Sequence, residues 1–226
     1  MNSPNTLRIG FATCAILVAT IYYMYRPYAW PTGMEALGCL IAIVILIVSG
    51  VLVYVFERKP IVAKHHKNIR IGLLIGLLWT VEISINNIAH PPLPFRDIID
   101  DIFWAIIAIL IWVVATVEAF KTNNFLAGFL SGCWTGYASG LVACFTALVL
   151  IVFAMPLVVN DPLNMKEWAD LHQTLHYPSM AIYFAYQTFA GAMLHLVVLG
   201  GVMGALLGAM GAIIGKLLRY FRKNNK

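Results

Sequence analysis

Residues 125–155 read FLAGFLSGCWTGYASGLVACFTALVLIVFAM, 31 consecutive positions without one Asp, Glu, Lys, Arg or His. As a helix this stretch would be about 46 Å long, against a bilayer hydrocarbon core of about 30 Å. Inside lipid only a helix or a closed barrel satisfies every backbone N–H and C=O, and nothing in the run alternates as a barrel strand would. Gly128, Gly132, Gly136 and Gly140 recur every four residues, which places them on one helix face. Lipid tails are as apolar as leucine, so helices associate there by close packing, and a glycine face lets two backbones approach. The stretch predicts a membrane helix built to pack tightly, and too long to cross the bilayer without tilting, breaking or projecting.

The rest of the chain agrees. Of 226 residues, 61% are hydrophobic and only 11% charged, whereas soluble domains carry roughly 25% charged residues. This excludes a soluble domain, a disordered chain, a fibrous repeat and a small disulfide scaffold. Further apolar segments at 9–25, 36–56, 70–90, 102–120 and 179–216 bring the expected number of spans to six. The predicted fold is an all-α integral membrane protein, a six-helix bundle forming one domain over 1–226. Arg8 precedes the first segment as in a signal peptide, but Tyr25-Arg26-Pro27-Tyr28-Ala29-Trp30 offers no small-x-small cleavage site, so a retained helix is expected.

Charge gives an orientation. With the N-terminus inside, only Arg26, Arg96 and Lys166 of the 15 Lys and Arg fall outside, as the positive-inside bias of short loops requires. Glu35, Asp97, Asp100, Asp101, Asp161, Glu167 and Asp170 sort to the outside. Both ends are therefore expected in the cytoplasm, in a plasma membrane or a bacterial-type inner membrane. The net charge of +5 is explained by this bias, so the expected partner is the lipid bilayer and not nucleic acid. Splitting the long last segment at Gly200-Gly201 would carry the basic tail outside. A kink at that pair, or a helix running on into the cytoplasm, is expected instead.

A second stripe, Gly200, Gly204, Gly208, Gly211 and Gly215, runs along the last segment, and Gly72 and Gly76 give the third a shorter one. Helices five and six are the expected packing spine. The stripes serve either this bundle or an interface with a second copy or another membrane protein.

Ionisable groups within spans are functional candidates, because an unpaired charge in hydrocarbon is costly. Glu82 lies about 18 Å beyond Arg70, which predicts a position near the membrane middle. Asn86 and His90 follow at four-residue steps, so one face would carry a polar track from Glu82 outward. Gln187 and His195 share a face of the last segment, with Gln187 at a depth where it would reach Glu82. Glu82, Asn86, His90, Gln187 and His195 thus form a candidate ion pathway, with Glu82 able to take up and release a proton. The expected function is permeation of a small solute or ion, coupled to protons. A non-transporting assembly subunit held by its glycine stripes is the alternative. Glu118, three residues before Lys121, reads as a snorkelling ion pair.

Between Pro156 and Pro178 lies the longest outer loop. Asn164-Met165-Lys166-Glu167 has the spacing of a capping box, which predicts a short interfacial helix through Leu171. His172 and His176, four residues apart, are candidate metal ligands, with Asp170 or the outer residues His90, Asp97, Asp100 and Asp101 completing a site, a solvated loop being the simpler reading. Cys14, Cys39, Cys133 and Cys144 form no CxxC pair and read as buried thiols. Ser139 and His195 offer a remote intramembrane dyad, but Gly136-Tyr137-Ala138-Ser139-Gly140 lacks the GxSG of the rhomboid proteases, and catalysis is not expected. Without a Walker A, Rossmann or CxxCH motif, no cofactor is expected. A cysteine placed at position 170 should react with a membrane-impermeant thiol reagent applied from outside intact cells and not from the cytoplasmic side of inverted vesicles. The reverse pattern overturns the orientation.

Overall fold

The structure, a computed structural model, describes residues 5–25, 34–56, 64–172 and 177–224, with backbone alone at 34–38 and 56. Arg26 and His176, used above for orientation and metal binding, lie outside the described residues, and Glu35 is described by its backbone alone. Every described element is helical: α1 (Thr6–Tyr25), α2 (Met34–Phe56), α3 (His66–Ala89), α4 (Phe95–Thr122), α5 (Phe125–Val159), α6 (Pro162–Leu171) and α7 (Met180–Asn224). All but α2 and α6 are long and apolar enough over their described residues to cross a membrane, and α2 holds a shorter apolar stretch, Cys39–Val55. Side chains such as Ile16, Ile47 and Ile109 point outward. On a protein of this composition that surface belongs against lipid, and the chain is a multi-pass integral membrane protein.

α5 is the centre. Asn124 starts it, its side chain accepting from the backbone N–H groups of Leu126 and Ala127, which occupies two of the donors a helix start leaves unpaired. Its small residues are buried on nearly all sides, including Gly132, Gly136, Gly140, Thr135 and Ser139. α7 lies against it antiparallel. A Cβ built on Gly132 would come within 2.3 Å of the Cα of Gly208, one on Gly136 within 2.6 Å of Gly204, and one on Gly140 within 2.8 Å of Gly200. α3 packs parallel to α5 on another side, where Gly72 abuts the carbonyl of Thr135 and Gly76 abuts Val142. α4 closes the group: Ile107, Ile111, Ala115 and Ala119 line its buried stripe, and Gly211 and Gly215 of α7 fit against Trp112, Ala115, Thr116 and Ala119. α1 and α2 cover the remaining side of α5 and the first half of α7, around Leu7, Phe11, Leu46 and Phe184.

The two long segments do not run straight. α5 widens into a π-helical stretch, Leu150–Ala154, before Pro156. Proline offers no N–H and its ring clashes with the carbonyl four residues back, and a wider turn accommodates both. In α7 the π-helical stretch is His195–Met203, which contains the Gly200-Gly201 pair expected to kink. The helix then continues to Asn224, where Arg219 donates to the carbonyls of Phe120 and Lys121 at 2.9 and 2.6 Å. Those carbonyls are left over at the end of α4, so the basic tail caps its neighbour.

Three sequence boundaries are corrected. α4 begins at Phe95 rather than 102, because Pro94 stands at its N-cap and Asp97 suits the positive end of a helix. α5 reaches Val159, past the expected end at 155. The short helix α6 is capped by Asp161, whose side chain accepts from the Leu163 N–H, not by Asn164, which donates to the Val158 carbonyl. Pro162 at the first helical position makes Asp161 the better cap.

Gly136→Ala should cost about 1–3 kcal/mol, because the added methyl meets backbone that no rotamer can move aside, and Gly136→Leu should abolish folded yield. Gly191 has nothing within 4 Å of where its Cβ would be, so Gly191→Ala should leave the melting temperature unchanged. Equal tolerance at both positions would show that the Gly136 face is not a contact.

Candidate functional site

Glu82 sits on α3, seven residues from its end at Ala89, or roughly 10 Å of helix. It is thus nearer the turn into α4 than the start of α3 at His66. The next turn is π-helical, Ile85–Ala89, and holds Asn86. Glu82 and Asn86 are buried, 7% and 8% exposed. The Asn86 amide nitrogen donates to Glu82 Oε1 at 2.7 Å and also to Asp100 Oδ1 on α4 at 2.5 Å. One NH2 group thus uses both protons to bridge two carboxyls from different helices. The two carboxyls thereby lie side by side on one amide group. If both were ionised at about 5 Å they would repel by about 3 kcal/mol, taking an effective dielectric of about 20. Glu82 Oε2 and Asn86 Oδ1 are buried without a hydrogen-bond partner among the described residues.

Toward the His66 end, Trp79 lies below this group. Its ring meets Trp104 of α4 edge-on at 5.2 Å and His195 of α7 at 5.3 Å. His195 Nδ1 is 2.7 Å from the Gly191 carbonyl. Trp79, Trp104 and Ser139 also line a cleft of about 10 Å³, room for about one water. On the far side of the carboxyls, Arg96 bonds Asp161 at 2.7 Å, Asp161 being only 2% exposed. That pair ties α4 to the start of α6.

The remaining sequence candidates lie elsewhere. His90 ends α3 in the left-handed conformation, φ 50°, with Nε2 2.9 Å from the Asn87 carbonyl, so it leaves the Glu82 face. The π turn and the Pro91-Pro92 pair that follows break the four-residue register on which that track depended. Gln187 is exposed and donates to Glu167 Oε1 at 2.8 Å and to the Tyr183 hydroxyl at 2.5 Å. It joins α7 to α6, not to Glu82. His172 is 3.0 Å from the carbonyls of both Trp168 and Ala169. Among the described residues no three His, Cys, Asp or Glu side chains come together as a metal site. Ser139 Oγ has no hydrogen-bond partner among those residues and so makes none with His195. A separate cavity of about 430 Å³ between α1, α2 and α7 is apolar, lined by Val18, Tyr22, Leu46 and Phe189 among others, and lies away from the carboxyls.

Asp100 stands beside Glu82 through Asn86, a neighbour the sequence reading places outside the membrane and not with Glu82. Pro94 followed by Asp97, Asp100 and Asp101 at helical spacing was the available signal.

At the other end of α3, His65 is 6% exposed. The Asn68 amide stands 3.3 Å from its Nδ1, and the Thr135 hydroxyl donates to the Asn68 carbonyl at 3.3 Å. Burial pushes the imidazole below its ordinary value, the Glu118 carboxylate draws it part of the way back, and Lys64 pushes it down. The folded state therefore favours the neutral ring. Its stabilising effect is complete above the unfolded value of about 6.5 and is lost as pH falls toward the lower folded value. The melting temperature should drop on acidification below about pH 6.5, and His65→Gln should flatten that part of the profile. An unchanged slope would show that His65 does not titrate there.

Compared with known proteins, the chain matches no family model, no curated protein and no solved structure.

Proposed function

We propose that this multi-pass protein moves a small solute or an ion across the membrane, coupled to protons taken up at Glu82. In this reading the chain crosses six times, α2 included, with both ends in the cytoplasm of a plasma or inner membrane. The observation that carries it is the bridge from Asn86 to Glu82 and Asp100 between two membrane helices. Buried carboxyls are costly to keep, and a purely structural tie between α3 and α4 needs neither of them. The aromatic contact of Trp79 with Trp104 and His195 stands next along the same helices as a barrier that must open for passage.

The alternative is a non-transporting assembly subunit. Its support is the density of glycine contacts, yet the faces of Gly132, Gly136, Gly140, Gly204 and Gly208 are taken up by this chain's own helices. That leaves less of the stripes for a partner.

The test is proton flux into liposomes holding the purified full-length protein, driven by an imposed membrane potential and read by an entrapped pH dye. Wild type should exceed empty liposomes, and Glu82→Gln should lower the rate at least about tenfold (~1.4 kcal/mol) with its melting temperature preserved. Equal flux in both proteins would favour the assembly role.

A further inference from the structure

We propose that Glu82 and Asp100 form a proton-binding site holding one proton between them, and that Asp100 is the member through which it exchanges with the surface. This rests on the permeation reading and names the ion and the second residue of the same site. Both Asn86 amide protons are already engaged, one on Glu82 Oε1 and one on Asp100 Oδ1. Glu82 Oε2 is left buried with no donor. As part of an anion it would be a bare, desolvated acceptor. As a hydroxyl it becomes a donor beside the Asp100 carboxylate held on the same amide, and the repulsion between two anions disappears.

The surroundings supply no other compensation. From α3, His90 is turned back on the Asn87 carbonyl. From α4, Arg96 is engaged with Asp161, and Asp97 and Asp101 are exposed. From α7, His195 stands behind Trp79 and bonds the Gly191 carbonyl. The last residues of α5 packed nearby, around Met155 and Val158, are apolar. No basic side chain among the described residues hydrogen-bonds or ion-pairs with either carboxyl. Glu82 is 7% exposed while Asp100 is half-buried, so the proton passes from Glu82 Oε2 to an Asp100 oxygen and from there to water. Only O–H bonds break and form.

Infrared spectroscopy of the full-length protein in micelles at pH 7 tests this through the carbonyl stretch of a neutral carboxylic acid. Wild type and Asp97→Asn should both show the band, Glu82→Gln and Asp100→Asn should each lose it, and Asp100→Glu should retain it. A wild type without the band, or a band untouched by Asp100→Asn, overturns the shared proton. Should Asp100→Asn not fold, an Asp100→Glu band identical in frequency to that of wild type overturns it as well. A band that behaves as expected in a protein without flux would leave the pair standing and remove the permeation reading.

Discussion

Everything in this bundle depends on backbone meeting backbone along α5 and α7. Gly132, Gly136 and Gly140 face Gly208, Gly204 and Gly200 in antiparallel order, with no side chain between them. Lipid gives no reward for burying leucine, so the attraction comes from dispersion and the polar backbone at short range, both of which fall off steeply with separation. The same logic extends sideways. Gly72 and Gly76 bring α3 onto α5, and Gly211 and Gly215 bring α4 onto α7. Four helices are thereby held at distances that larger side chains would forbid.

That rigidity is what places two acids on one amide. Glu82 and Asp100 belong to different helices, and neither is locally pulled toward the other. α3 and α4 hold them in reach because each is anchored to α5 farther along, by the Thr80–Thr146 hydroxyl pair at 2.8 Å and by Gly128 against Ala119. The cost of bringing two carboxyls together is offset by packing elsewhere in the bundle.

The fold class was legible because composition and run length are blunt signals: 31 uncharged residues have few other homes. The glycine faces were legible because a period of four survives along a regular helix. What failed was whatever depended on regularity where the helix stops being regular. His90 was placed on the Glu82 face by counting in fours, and the π turn at Ile85–Ala89 with a left-handed His90 removed it. Gln187 was matched to Glu82 by depth alone, and depth says nothing of the direction in which a side chain points. Asp100 was not paired with Glu82 because the span was started at 102, and a charged first turn looks unlike a membrane helix until Pro94 is recognised as its start.

The π-helical stretch His195–Met203 has a geometric effect on the whole of α7. A π turn inserts extra residues between successive hydrogen bonds, and each inserted residue turns all that follows by about 100° about the axis. The first half of α7 buries Ile182, Phe189 and Ala192, while the second buries Gly204, Gly208, Gly211 and Gly215. The stretch acts as a phase shifter, letting one continuous helix show a bulky face to α2 and α5 and then, without a loop, a flat glycine face to α5 and α4.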